Sequence, residues 1–375
     1  MSGVERRLRS AFVRADIARS TGVRHAWRRW RYDAAYVRQA AQRRQTVTAG
    51  MWREAAEAVG ATIVALSPPF AEIRRDGATT RVMGETTALN NLVSVGLADD
   101  KPLVHRLLSD AGLATPEHVV VGEWSSAAAF LARADRPCVV KPAQGSGGDG
   151  VTGEIRRPAQ LRRAAREARR HHQQLLVERH VPGGVYRVLV LDGEVLDVVR
   201  RRLPCVQGDG HSTIAQLIAV ECERRLASDA YVPAKPFVVD LDSIFTLEAA
   251  GLHLGDVLPA GRTAIVKTVS NYNRPDDNEV VSQSEHRSFK TAAAKAASVL
   301  GLRLAGVDIV AGDPPASGEG GVILEVNGRP ALHHHQHVAN RGDGIPIAAR
   351  LLDALLCTDE SQGSDPGGVR PQHFA

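Results

Sequence analysis

The sequence predicts an α/β (α+β) protein of two or three subdomains, and three observations carry that reading. The chain has 375 residues, more than a single small core accommodates. Short runs rich in Val, Ile and Leu alternate along it with longer helical patterns. One such run opens "VVKPAQGSGGDGVTG", where glycines crowd the end of a predicted strand. Hydrophobic content of 43% and charged content of 24% are ordinary for a globular chain.

Taken in order, the arginine-rich residues 1–45 pattern as a basic helical arm. "MWREAAEAVG" reads as a helix closed by Gly60, and "ATIVALS" as a short buried strand. "FAEIRRDGATTRVM" alternates about Asp76-Gly77, the signal of a tight hairpin. These segments make a small α/β N-terminal unit over residues 46–97. In "DDKPLVHRLLSDAGLATPEHVVV", Asp99 or Asp100 caps a helix that stops at Gly112, and Pro116 precedes a strand. "SSAAAFLARA" reads as a serine-capped helix and "PCVVKP" as a strand. "EIRRPAQLRRAAREARRHHQQ" is a strand end followed by a helix whose arginines form a solvated face. "LLVERHV" is a strand leading to Pro182-Gly183-Gly184, and "YRVLVLDGEVLDVVRRRLP" is two strands turning at Asp192-Gly193. "IAQLIAVECERRLAS" and "SFKTAAAKAASVLG" are helices, the second closed by Gly301. "AGVDIVAG" and "GVILEVNG" are strands joined by the loop Gly312 to Gly321, and "PIAARLLDALL" is the last helix. The main domain thus covers 98–357, and the polar tail 358–375 predicts disorder.

Composition narrows the function classes. Aromatics make up 4%, too few for stacked RNA-binding platforms. The net charge is +5, with much of the excess in the N-terminal arm. That arm reads as a solvated helix or an oligomer contact, and nucleic acid is not the expected partner. Cys138, Cys205, Cys222 and Cys357 form no CxxC pair and read as reduced, buried thiols. There is no apolar run of membrane-spanning length and no signal-peptide core, so no membrane partner is expected and the expected location is cytoplasmic.

Two motifs carry chemistry. In "VVKPAQGSGGDGVTG" a strand delivers Lys141, and Gly145, Ser146, Gly147, Gly148 and Gly150 follow. Backbone N–H groups of such a loop can approach phosphate oxygens with no side chain in the way. The loop lacks the Gly-Lys-Ser/Thr of a Walker motif, and a Lys-Pro precedes it where a dinucleotide fingerprint has a helix start. In "VILEVNG", Glu325 and Asn327 are two apart and share a strand face. Asp308 in "GVDIV" lies on the preceding strand, and the three supply hard oxygen ligands suited to Mg²⁺ held against phosphates.

The order of these pieces resembles the ATP-grasp superfamily of carboxylate–amine ligases. The match is to the ATP-grasp part of cyanophycin synthetase and of bifunctional glutathione synthetase. It runs from Asp100-Lys101 through "VVKP", "LLVERHVPGGVYRVLVL", "RRLPCVQGDGHSTIAQLI", "VKTVSNYN" and "SEHRSFKTAAAKAASVLGLRLAGVDIV" to "ILEVN", roughly Asn90 to Leu356. The resemblance implies an ATP-grasp fold over 98–357, with a lid subdomain at about 115–180 and residues 46–97 as a pre-ATP-grasp unit. It implies ATP and Mg²⁺, with Mn²⁺ as an alternative. Lys101 and Lys141 would contact the ATP phosphates, and Gly145 to Gly150 would form the lid loop. Glu178 and the backbone from Arg179 to Val181 would hold the adenine edge. Asp308, Glu325 and Asn327 would hold the metal, and Arg187 and Asn271 would lie near the acyl phosphate or the acceptor. The implied reaction joins a small carboxylate to an amine with release of ADP and phosphate, in biosynthesis. A homodimer is what the resemblance suggests.

The sequence departs from those relatives at two places. "NYNRPDDNE" stands for their Asn-x-Ser-x-Gly-Gly, and "NGRPALHHHQH" for their Asn-x-x-Pro-Gly turn. Both regions would face the acceptor. The chain also lacks the relatives' Mur-ligase-like and glutamate–cysteine ligase domains, so a stand-alone ligase is expected. His333, His334, His335 and His337 invite a zinc reading, but adjacent histidines on an extended segment point to opposite sides. One is expected to line the acceptor pocket and the others to lie at the surface. His286 matches a position in those relatives without an assigned role. The alternatives are a ligase acting on a protein or peptide acceptor, and a non-catalytic binding module that uses the N-terminal arm.

Overall fold

A computed structural model describes residues 31–32, 45–145, 147–227, 239–269, 277–281, 283–312, 321–336, 338–340 and 344–357. Most of the arm, Ser146, Asn271, His337, the side chain of His286 and the tail lie outside the described residues.

The chain opens with helix α1 (45–58), whose Met51, Trp52, Ala55 and Ala56 form one buried stripe at helical spacing. Strands β1 (Thr62–Ser67), β2 (Phe70–Arg75) and β3 (Ala78–Met83) form a three-stranded antiparallel sheet against it. The hairpin turns at Asp76-Gly77 with φ of 51° and 82°, a pair of left-handed residues that matches the twist of the strands. β1 is found where the sequence predicts a strand, but it is not buried: Val64 is 50% and Leu66 52% exposed. It is the sheet's edge strand, and only its other face meets α1.

Helices α2 (Leu92–Asp99) and α3 (Lys101–Asp110) follow. Asp100, not Asp99, caps α3 by accepting from the N–H of Leu103. The next unit contains β4 (His118–Val120), α4 (Trp124–Ala132), β5 (Cys138–Pro142), β6 (Thr152–Ile155), α5 (Pro158–Ala168) and β7 (Leu175–Arg179). Its strands form an antiparallel sheet in the order β4-β7-β5-β6. α4 has no serine cap: Glu123 precedes it without a side-chain cap bond, and Ser126 sits in the first turn donating to the Glu123 carbonyl. α5 buries Leu161, Ala164, Ala165 and Ala168 and turns Arg162, Arg166 and Arg169 to solvent.

β8 (Gly184–Leu191) and β9 (Glu194–Arg201) begin the larger sheet and turn at Asp192-Gly193. An inserted unit follows, with β10 (Cys205–Gln207), α6 (Ile214–Ala227), α7 (Leu241–Ala249) and β11 (Thr263–Ile265). Its β10–β11 ribbon packs on α6 and on Tyr32 of the N-terminal arm. Then come β12 (Asn278–Val280), α8 (Gln283–Val299), β13 (Leu304–Ala311), β14 (Val322–Asn327), the short α9 (His333–Gln336) and α10 (Ile347–Leu356). The larger sheet has the antiparallel order β12-β9-β8-β13-β14. One face is the main core, where Tyr186, Val188, Val198, Val307 and Ile323 meet α3 and α8. Phe289, Ala293, Ala296 and Leu300 supply the apolar stripe of α8. The opposite face is apolar at one end, against α10 and the N-terminal unit, and polar at the other.

Two of the four thiols, Cys205 and Cys357, are exposed rather than buried, because they lie on the edge of the small ribbon and after the last helix. Among the described residues, no helix is long and apolar enough to cross a membrane.

Candidate active site

The two sheets face each other across a cavity of about 680 Å³. β5 carries Lys141 next to its end, and β7 carries Glu178 in the neighbouring row. The Lys141 ammonium lies 2.6 Å from the Glu178 carboxylate and 3.5 Å from the Leu324 carbonyl, which bridges the two sheets. The same Glu178 oxygen lies 3.6 Å from Nδ1 of His105, itself only 1% exposed. Burial pushes the His105 pKa down to about 4 despite that carboxylate, so the ring is neutral near pH 7.

Lys101 opens α3, directly after the capping aspartate. Its ammonium donates to the Gly145 carbonyl at 2.6 Å and stands 3.3 Å from Glu325 on β14. The same lysine thus touches the glycine loop and the carboxylate strand. The loop needs its glycines at specific points. Gly148 has φ +73°, and a Cβ there would fall 2.3 Å from Val269. At Gly150, with φ +76°, a Cβ would fall 2.7 Å from His171. The segment that Gly148 packs against is itself pinned. Buried Asp242 on α7 accepts from the N–H groups of Gly153 and Thr268 and from the Thr268 hydroxyl, at 2.6–2.9 Å.

On the larger sheet, register decides which side chains face the cavity. Arg187 on β8 pairs across to Asp308 on β13, which pairs across to Glu325 on β14. Directly opposed residues share a face, so the three form one row, with Asn327 two residues along from Glu325. Arg187 donates to both Asp308 oxygens at 2.6 and 2.8 Å, and both groups are buried. Burial alone would raise the Asp308 pKa, but Arg187 and Arg201 outweigh it and hold the carboxyl below its usual range.

These residues fit a divalent metal. Asp308 and Glu325 offer two carboxylates side by side. Asn327 donates its N–H to the Gly306 carbonyl at 3.2 Å, which leaves Oδ1 as its acceptor. Among the described residues, no three His, Cys, Asp or Glu side chains form a closed metal cage. Two carboxylates and an amide leave coordination positions for phosphate and water, as Mg²⁺ requires.

The cavity brings together Lys101, Lys141, Gly145, Gly148, Glu178, Arg179, Val181, Asp308 and Glu325. Arg187, Asn327, Gly147 and Gly150 do not line it, Arg187 lying behind Asp308, while Ser146 and Asn271 fall outside the described residues. The histidine run is not at the surface. His333, His334 and His335 are 8%, 3% and 0% exposed. They sit on a short helix, not an extended segment, so each ring takes its own partner. His333 meets Glu85 at 2.9 Å, His334 meets Asn278 at 3.3 Å, and His335 meets Asp197 at 2.7 Å. None of these three lines the cavity. Sequence reasoning missed Arg201, Asp242 and these histidine partners.

Two antiparallel sheets closing on a glycine loop, paired lysines and strand-borne carboxylates are the architecture of the ATP-grasp fold. A solved bifunctional glutathione synthetase from Pasteurella multocida superposes with a TM-score of 0.54 at 21% identity, over 83% of this chain and 44% of that one. No protein-family model matches the chain. In sequence it is 30% identical over 289 residues to a cyanophycin synthetase of Trichormus variabilis, covering 75% of this chain and 32% of that protein. It is 27% identical over 285 residues to the glutathione biosynthesis bifunctional protein GshAB of Streptococcus mutans, covering 73% of this chain and 37% of that protein. The chain therefore spans about a third of the length of these curated relatives. It belongs to the ATP-grasp superfamily.

Proposed function

We propose that the chain is an ATP-dependent carboxylate–amine ligase, acting on a small carboxylic acid or amino acid and releasing ADP and phosphate. The observation that carries this reading is one cavity holding Lys101, Lys141, the glycine loop and the Asp308–Glu325 pair. Lys101 and Lys141 meet the triphosphate, and their charge offsets that spreading over the phosphoryl oxygens. Asp308, Glu325 and Asn327 would hold Mg²⁺, which when bound neutralises phosphate charge and orients the transferred group. The acid's carboxylate takes the γ-phosphoryl group to give an acyl phosphate, and the amine then attacks its carbonyl with loss of phosphate. The glycine loop, in which Gly148 packs against Val269, would exclude water that would otherwise hydrolyse the acyl phosphate. Glu178 and the backbone from Arg179 to Val181, residues that line the cavity, would hold the adenine edge.

A phosphate-release screen with ATP, Mg²⁺ and paired amino acids and carboxylic acids tests the reading. ADP and phosphate should form only with the right pair, and Lys141→Met should lower turnover at least a hundredfold while the chain stays folded. AMP and pyrophosphate as products would overturn the mechanism.

A further inference from the structure

The cations of the cavity are nearly all matched by carboxylates. Lys101 stands against Glu325, Lys141 against Glu178, Arg156 against Glu154, and Arg179 against Glu117. Among the described residues, two lining arginines have no carboxylate, Arg201 and Arg262. Arg262 is exposed, so water balances its charge. Arg201 is only 5% exposed, and its Nε is buried with no hydrogen-bond partner among the described residues.

Arg201 ends β9, directly across from Val185 on one side and Asn278 on the other. That register turns it to the same face as Arg187 and Asp308. Asp308 is two strands away and two residues along, about 12 Å between Cα atoms from ordinary sheet spacing. Each of its oxygens accepts one hydrogen bond from Arg187, and none comes from Arg201. Burial first, and then neighbouring Arg187, push the Arg201 pKa down to about 10, so it still carries its proton at neutral pH. Asp308, Glu325 and Asp277 favour its charge from a distance, but no carboxylate is bonded to it. A buried guanidinium without a bonded partner is costly, and a buried polar group without one calls for one. Arg187 shows what a structurally satisfied arginine looks like here, and Arg201 differs from it by opening on the cavity.

We propose that Arg201 is an anion receptor in the cavity, taking a phosphoryl or carboxylate group of a bound substrate. This rests on the ligase reading for the identity of those substrates. The planar guanidinium suits either group, since both present paired oxygens to its fork.

Arg201→Met and Arg201→Lys are compared with the unaltered full chain. Isothermal titration uses MgADP and MgAMP-PNP. Thermal unfolding uses inorganic phosphate and acetate, each alone and on top of MgADP. Without ligand, Arg201→Met should unfold no lower than the unaltered chain, because it removes a buried charge that no carboxylate bonds and keeps an apolar stem. It should lose at least tenfold in affinity for one class of probe, with Arg201→Lys recovering part. A loss with either nucleotide assigns Arg201 to the nucleotide phosphates. A loss confined to phosphate or acetate on the MgADP-bound protein assigns it to the acid-derived group. Unchanged affinity for all the probes overturns the proposal, as does a ligand-free Arg201→Met that unfolds well below the unaltered chain. If the unaltered chain fails to bind MgADP, the ligase reading falls, and the phosphate and acetate arms still decide Arg201.

Discussion

Replacing Asp308 with asparagine should cost the fold as well as the chemistry, and the two losses can be separated. Arg187 and Asp308 side chains are 5% and 10% exposed and share two hydrogen bonds of 2.6 and 2.8 Å. Asparagine keeps one acceptor and loses the charge, so Arg187 stays buried with no full partner. Breaking a buried pair from one side costs about 3–5 kcal/mol. Glu325 also favours the charge on Arg187, so the lower end, about 3 kcal/mol, is expected here. Removing both partners behaves differently, because neither member of the pair leaves its own charge buried without the other. The double variant Asp308→Asn with Arg187→Met should therefore recover about 2 kcal/mol over the single one. Urea unfolding of the ligand-free chain measures both quantities. Turnover, in contrast, should be lost in both variants on the proposed ligase reading, since each lacks a carboxylate proposed to hold the metal. An Asp308→Asn variant within 1 kcal/mol of the unaltered chain would refute the buried-pair argument, and so would a double variant less stable than the single.

Gly148→Ala should lose about 1–2 kcal/mol from its left-handed conformation alone, plus the clash with Val269. Adding Val269→Ala should restore the steric share, and nucleotide titration and urea unfolding of the two variants check this; equal losses would leave no role for the contact. Stability should also fall as pH drops from about 6.5 towards 4, since the unfolded chain takes a proton on His105 that the folded chain refuses until about pH 4. The lowered His105 pKa corresponds to about 3 kcal/mol across this range. His334 and His335, whose pKa values burial also lowers, add to the same trend. Urea unfolding across this range should show a slope reduced by about one proton in His105→Gln, and an unchanged slope would remove His105 from the account.

What could be read in the sequence is what local periodicity encodes. The two-residue spacing of Glu325 and Asn327 puts them on one face of any strand, and the short loop after β13 makes β14 its natural antiparallel neighbour. Asp308 therefore meets Glu325 in register. The glycine loop was legible for the same reason: Lys141 and the glycines are neighbours in the chain. The histidines show the opposite case. Their partners Glu85, Asp197 and Asn278 are 248, 138 and 56 positions away, and no local pattern links such residues. Asp242 was hidden similarly, since it acts on Gly153 and Thr268 from an inserted unit with little periodicity of its own.

Arg201 marks the boundary between these cases. "RRR" at residues 200–202 looks like one solvated basic run. Register alone separates its members. Arg202 lies past the strand end and pairs with Glu279 at 2.8 Å, half in solvent. Arg201, one residue back, faces the cavity because β9 aligns it with Val185. A slip of one residue would send Arg201 into the apolar core of α3 and α8 and turn its neighbour to the cavity. The valines that alternate behind it, Val188 on β8 and Val198 on β9, forbid that slip, since they would lose the core in exchange. The charge in the cavity is thus fixed by hydrophobic residues on the other side of the sheet. Its cost is offset in part by the field of Asp308 and Glu325, and on the proposed role an anion completes it. Lys101 and Lys141 are matched in the protein itself and must release Glu325 and Glu178 to meet a ligand fully, whereas Arg201 has no such bond to give up.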